Sequence, residues 1–246
     1  MPRLIDQAVC LRHWDWSETS QTVSILTRSH GVVRGLAKGS KREKSPFSGG
    51  LEIATRGEVV LIPKAGTLAT ITAWDLQELF PGVRRSTAAF FAAMHILDLA
   101  HHFVQEGDPH PIVFETLCGS LRELAQRNDL APVLAMQWTC LVEAGLQPML
   151  DRSASTGAAL ESAASYGLSP SLGGVVPDLG TPAAPGVLRV RGETIALLRR
   201  LEPGTQLPAD AIDAGTIDRA ARLMSVYIHH ALGRAMTSAD ALFGKP

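Results

Sequence analysis

The spacing of hydrophobic and polar residues changes character near residue 75. Before that point the apolar residues fall in short β-type runs separated by turn formers: residues 8–13, then a turn region at 14–20, then Thr-Val-Ser-Ile-Leu-Thr at 22–27. Ser29-His30-Gly31 reads as a hairpin turn into a third run at 32–37. Residues 51–55 and 58–62, separated by Arg56-Gly57, and a run rich in Thr and Ile at 68–74 complete the set. Short strands with tight connections over this length predict a small closed β-barrel, the OB-fold being the leading candidate, in a domain covering residues 1–80.

From there the period is helical, and residues 81–246 read as an all-α domain, giving an α+β chain. Asp75 is placed to cap a short turn that ends at Pro81-Gly82. Over 84–106 Phe90, Met94, Leu97, His101 and Val104 fall on one stripe, and Gly107-Asp108-Pro109-His110-Pro111 ends that helix. Helices follow at 112–127 and 131–144, with Pro132 in the first turn and Gly145 as the stop. At about 150–186 the chain turns to Ser, Ala, Gly and Pro, which predicts a loop or partly mobile insert. Helices resume at 193–201 and from about 209 to 234, the latter carrying Ile217, Leu223, Met224, Tyr227, Ile228 and Leu232.

Charge adds one feature. The chain carries 46% hydrophobic and 19% charged residues with a net charge of −1, an ordinary globular balance that excludes a protein basic all over. Residues 1–80 hold ten Lys/Arg against eight Asp/Glu, and the rest thirteen against sixteen, so the basic character lies at the front. It is concentrated at Lys38, Lys41, Arg42 and Lys44, opposed only by Glu43, on a stretch where Gly35 and Gly39 open the backbone and Pro46 stops a helix. A local basic cluster beside a sheet suggests an anionic partner, nucleic acid being the commonest; the alternative is a solvated loop. Cys10, Cys118 and Cys140 are dispersed and odd in number, which fits a reducing compartment. Neither a signal-peptide core nor an apolar run of membrane-spanning length is evident, so a cytoplasmic protein is expected.

Catalytic chemistry finds little support. His95, Asp98 and His102 share a helical face at i, i+3 and i+7 and could in principle hold a metal, as a hydrolase would require, but with no H-E-x-x-H beside them they read as the polar face of that helix, and metal catalysis is not supported. His101 reads as a core histidine, and the adjacent His229 and His230 diverge on a helix. There is no G-x-S-x-G elbow, reactive cysteine context or P-loop. Nucleic-acid binding survives best, through Arg34, Lys38, Lys41, Arg42 and Lys44 on the phosphates. Trp14, Trp16, Phe47 and Trp74 are candidate stacking aromatics, although large aromatics are more often packed inside.

One set of residues points to a family. Glu18-Thr-Ser-Gln-Thr-Val-Ser-Ile-Leu-Thr27, then His30-Gly31, then Ala37-Lys38-Gly39 leading into Lys41-Arg42 and Lys44-Ser45, resembles the front of the bacterial RecO family of DNA-repair mediators. The order of parts, a barrel, a helical domain and an insert before the last helices, is similar too. Many members carry a four-cysteine zinc module in the insert. Here the surroundings persist, with residues 145–151, Leu168-Ser169 and Gly173-Gly174, but the ligand positions hold Ser153, Thr156, Pro177 and Gly180, so no zinc or other cofactor is expected.

The resemblance implies a non-enzymatic, cytoplasmic and nucleoid-associated role. Such proteins bind single- and double-stranded DNA, anneal complementary strands, and help load RecA onto strands coated by the single-strand binding protein. They act with RecR, in the pathway that also uses RecF. Arg219 and Arg222 on the last long helix are candidate contacts for the acidic tail of the single-strand binding protein, without a family motif to match. The competing reading is a protein–protein scaffold with incidental DNA affinity.

Overall fold

A computed structural model describes residues 3–48, 51–178, 180, 185–208 and 212–244. The Gly49-Gly50 turn and the expected helix start at 209–211 lie outside the described residues. The structure divides into two compact units, Met1–Gln126 and Arg127–Pro246.

The first unit is built on β1 (Leu4–Asp15), β2 (Gln21–Thr27), β3 (Gly31–Ala37), a two-residue β4 (Phe47–Ser48), β5 (Arg56–Ile62) and β6 (Ala69–Glu78). The strand order is β3-β2-β1-β5-β6, and a parallel pairing of β3 with β6 closes these five strands into a barrel of OB type. β4 adds to β6, with Phe47 beside Trp74. Alternate residues fill the interior: Ala8, Cys10, Val23, Ile25, Ala37, Val59, Leu61, Ile71 and Trp74, with Phe47 and Leu51 at the ends.

Two of the expected β boundaries shift. Residues 51–55 form no strand; they cross the barrel end, bonded to β1 through Cys10 N–H to Thr55 O at 2.9 Å, Ala54 N–H to Cys10 O at 3.0 Å and the Cys10 thiol to Leu51 O at 3.8 Å. The last strand runs on to Glu78, so Asp75 is a strand residue opposite Glu58 rather than a helix cap. A bulge between Cys10 and Arg12 interrupts the β1–β2 ladder.

Two helices complete this unit, α1 (Thr87–Phe103) and α2 (Pro111–Glu123). Ser86 caps α1 by accepting the Ala89 N–H at 3.1 Å. The buried face of α1 is Ala89, Ala92, Ala93, Ile96, Leu97, Leu99 and Ala100 together with His95, while Phe90 is 45% exposed. The stripe expected through Phe90 is therefore rotated. Alanines let the helix lie close to its neighbours but weigh little in a hydropathy pattern. Arg12 reaches Asp98, and Ser24 Oγ lies 3.2 Å from His101 Nδ1, fastening α1 to β1 and β2.

The link after α1 closes on the β2–β3 hairpin, with Val32 N–H donating to Gln105 O at 3.1 Å. Gly31 makes this approach possible. Its φ is +67°, and a Cβ there would stand 2.4 Å from Gln105 O. The change of period near 75 thus falls close to the end of the sheet at Glu78, while the compact unit extends through α2.

In the second unit α3 (Ala131–Glu143) is buried continuously from Ala131 to Leu141 and packs against α5 (Ala214–Leu232), to whose Ala221 carbonyl Gln137 donates at 3.2 Å. The shorter α4 (Gly192–Leu198) and α6 (Thr237–Phe243) flank α5 in sequence. The insert expected to be a loop supplies β7 (Ser165–Ser169) and β8 (Gly174–Pro177) to a three-stranded antiparallel sheet that β9 (Leu188–Arg191) completes just past it, in the order β8-β7-β9. Its apolar positions, Tyr166, Leu168, Val175, Val176 and Val190, are few and spread among Ser and Gly, which hides the strand pattern.

Candidate nucleic-acid interface

The basic stretch leaves β3 at Ala37 and is held in place by its neighbour, the turn joining β1 to β2. Gly39 turns the chain with φ +72° and donates its N–H to Ser20 Oγ at 3.1 Å. Ser40 Oγ donates to Gln21 Oε1 at 3.0 Å, and the Lys41 N–H donates to Thr19 O at 3.1 Å. Residues 16–20 and 38–46 therefore form one lobe at the end of the barrel, returning to the sheet where Trp74 N–H donates to Pro46 O at 3.0 Å.

All five basic candidates are exposed, but they are not equivalent. Arg34 Nε donates to Glu106 Oε1 at 2.6 Å, and Lys41 Nζ lies 2.5 Å from Asp15 Oδ1. Lys38, Arg42 and Lys44 have no carboxylate partner among the described residues. A phosphate meeting these three displaces water only; at Arg34 or Lys41 it competes with a carboxylate. The lobe thus concentrates unneutralised positive charge on three side chains, with Glu43 between them.

The aromatic candidates divide as well. Phe47 and Trp74 are barrel core, whereas Trp14 is 49% and Trp16 64% exposed, at the end of β1 beside the lobe. The usual burial of large aromatics fails for this pair. Their sequence neighbours Asp15, Ser17 and Glu18 are the signal that marks a solvated turn.

Other candidate chemistry resolves into structure. His95 is buried on the apolar face of α1, and burial pushes its imidazole down to about 4, so it is neutral at pH 7. Burial, assisted by the Arg12 and His102 charges, does the same to His101. Asp98 takes Arg12, and His102 Nε2 lies 3.5 Å from the same carboxylate. The three cysteines are buried, and burial pushes the Cys10 and Cys118 thiols up to about 12, far from a reactive thiolate.

The positions matching zinc ligands do not fit a metal. Ser153 is buried with its Oγ accepting the N–H groups of Ser155 and Thr156, both at 3.3 Å. Pro177 lies in β8, and Gly180 has no side-chain ligand, its N–H being given to Asp178 Oδ1 at 3.0 Å. Arg219 is engaged by Glu193 at 2.5 Å and Thr216 at 2.7 Å; Arg222 by Asp218 at 2.8 Å and the Phe243 carbonyl at 2.9 Å.

No described helix is long and apolar enough to cross a membrane. Residues 1–80 match the family model described as Recombination protein O N terminal, and residues 84–240 match Recombination protein O C terminal. Among known proteins, the DNA repair protein RecO of Rhodopirellula baltica is 32% identical over 214 residues, 85% of this chain and 78% of the relative. The Myxococcus xanthus protein of the same name is 28% identical over 241 residues, covering 98% and 97%. That of Streptomyces griseus is 29% identical over 243 residues, covering 95% and 96%. With both halves of the chain matched and these relatives aligned over most of their length, the chain belongs to the RecO family of DNA repair proteins.

Proposed function

We propose that this RecO-family protein binds single- and double-stranded DNA through the lobe, anneals complementary strands, and acts as a non-enzymatic mediator in recombination. The observation that carries this reading is the set of three exposed cations without carboxylate partners, Lys38, Arg42 and Lys44, held together by the lobe's hydrogen bonds. Contacts of this kind follow phosphates rather than base edges, so bases stay available to pair, as annealing requires. Family membership supports extending the role to RecA loading with RecR, in concert with RecF, on strands coated by the single-strand binding protein. Arg219 and Arg222 are the proposed contacts for that protein's acidic tail, which would exchange for the carboxylates they now hold.

The test is equilibrium binding of single strands and duplex across a salt series, for the wild type and for Lys38→Ala/Arg42→Ala/Lys44→Ala. On single strands the slope of log affinity against log salt should fall by about 2 when three phosphate contacts are removed. An unchanged affinity and slope would dismiss the lobe as the DNA contact. The scaffold reading draws on the internal neutralisation of Arg34 and Lys41; it predicts that RecR is captured undiminished by a protein that does not bind DNA.

A further inference from the structure

The lobe has an apolar border that its phosphate contacts do not explain. Strict alternation along β1 would send Ala8, Cys10, Arg12 and Trp14 to one side, the barrel interior. The bulge breaks that alternation: Cys10 pairs with Ile25, but Arg12 pairs with Ser24. Cys10 and Ile25 are core, whereas Arg12 and Ser24 point outward to Asp98 and His101 of α1.

Beyond the bulge the parity stays reversed. Trp14 is therefore on the outer side, opposite Thr22, which in turn is opposite Leu36 of β3. α1 covers the row of Arg12 and Ser24 and leaves this next row partly open: Thr22 and Leu36 are half-buried. Trp16 follows past the strand end, and Lys38, two residues beyond Leu36, continues the outer side of β3 into the lobe.

We infer that Trp14 and Trp16 form a base-stacking platform for single-stranded nucleic acid, along which Lys38, Arg42 and Lys44 hold the phosphates of the same strand. This assignment rests on the DNA-binding reading of the lobe and adds the preference for unpaired bases. The neighbouring charge selects the occupant. Two exposed indoles lie beside three cations that lack carboxylate partners, a pairing that suits a ligand with flat apolar faces and one negative charge per unit. Asp15, between the two tryptophans, would repel that ligand, but its carboxylate is held by Lys41. A duplex keeps its base faces stacked on one another and offers the indoles nothing but its edges.

The experiment compares a labelled oligothymidine with a blunt duplex of equal length, by fluorescence anisotropy on the full chain. The variants are Trp14→Ala/Trp16→Ala, Trp14→Phe/Trp16→Phe and the triple substitution of Lys38, Arg42 and Lys44 by Ala. Removing both indoles should weaken single-strand binding by roughly tenfold or more while leaving duplex binding unchanged, and the phenylalanine pair should restore most of the loss. Both tryptophans are exposed, so the variants should fold; emission from the remaining buried Trp74 and Trp138 reports this independently.

Unchanged single-strand binding, or an equal loss on both DNAs, would overturn the platform. So would loss of a protein contact with single-strand affinity kept, which would make the patch a protein surface. Those outcomes leave the phosphate contacts standing, since only the triple variant tests them. If that variant binds both DNAs as the wild type does, it is the reading of the lobe as the DNA contact that fails.

Discussion

Two stretches of this chain lack regular periodicity and are rich in small residues: the lobe at 38–46 and the insert at about 150–186. They end up in opposite conditions. In the insert the polar groups turn inward. Tyr166 OH donates to Glu161 O at 2.8 Å, and Arg199 donates to the Leu150 carbonyl at 2.5 and 3.1 Å. Asp178 collects Ser165 at 2.5 Å, Arg189 at 2.8 Å and the Gly180 N–H. In the lobe the hydrogen bonds are spent on the backbone, Ser20, Gln21 and Lys41, while three cations face solvent without a carboxylate among the described residues. Internal satisfaction suits a segment that serves the fold, whereas cations left over beside a firmly held backbone are what the proposed phosphate contacts would use.

The sharpest way to test that contrast is to damage the insert and leave the lobe alone. A Cβ at Gly174 would stand 2.5 Å from Met149 O and 2.9 Å from its N, both backbone atoms that cannot rotate away. Gly174→Ala should cost about 3 kcal/mol of stability, at the upper end for overpacking, with single-strand affinity unaltered in the protein that remains folded. Denaturant unfolding and a binding titration on the same sample would show both.

Next in size is Ser153→Ala, which strips the acceptor from two N–H groups in a buried turn and should cost about 1 kcal/mol. An unfolding midpoint equal to that of the wild type would mean the hydroxyl is not what holds the turn.

A smaller effect of opposite sign is expected in the lobe. Asp15→Asn releases Lys41 from its ion pair, so it should tighten DNA binding and steepen the salt slope on single strands by up to about 0.7. A weakened complex would show that Asp15 positions the lobe instead of restraining its charge.

Least of all, acid should loosen the insert before the lobe. Hydrogen bonds from Ser165 and then Gly180, with Arg189, hold the Asp178 carboxyl below its ordinary 3.8. A carboxyl lowered in the folded state contributes stability that is complete above the ordinary value and is lost as pH falls through the lowered one. Amide exchange at Gly180 should therefore gain in rate only below about pH 4, while that at Gly39, whose acceptor is the Ser20 hydroxyl, should show no such step.

The sequence made some of this visible and hid the rest for definite reasons. β2, the hairpin turn at Gly31 and the basic cluster are legible because each is written in consecutive residues. The neutralisation of Lys41 and Arg34 is not, because Asp15 and Glu106 reach them only through the fold. The exposure of Trp14 depends on one extra residue near Leu11 that reverses the side-chain parity of β1, and no glycine marks that bulge. The sheet in the insert was masked by spacing that shares few apolar residues among three short strands. The buried face of α1 was masked by alanine, whose contribution is closeness rather than bulk.

The β2–β3 hairpin is held at both ends, by different means. At the turn, buried Asp6 takes the Ser29 N–H at 2.9 Å and sits 2.7 Å from His30 Nδ1, while Gln105 holds Val32. At the other end Gly35–Ala37 pair with Ala69–Ile71 of β6, and the lobe projects beyond that pairing. Mechanically this is a beam clamped at Gly31 and again at β6, with the lobe overhanging the second support. Tension in a strand bound as proposed would run along β2 and β3, across ladder bonds that lie perpendicular to it. Those bonds share the load in shear instead of opening one after another, so the barrel can bear a pull at its tip without unzipping.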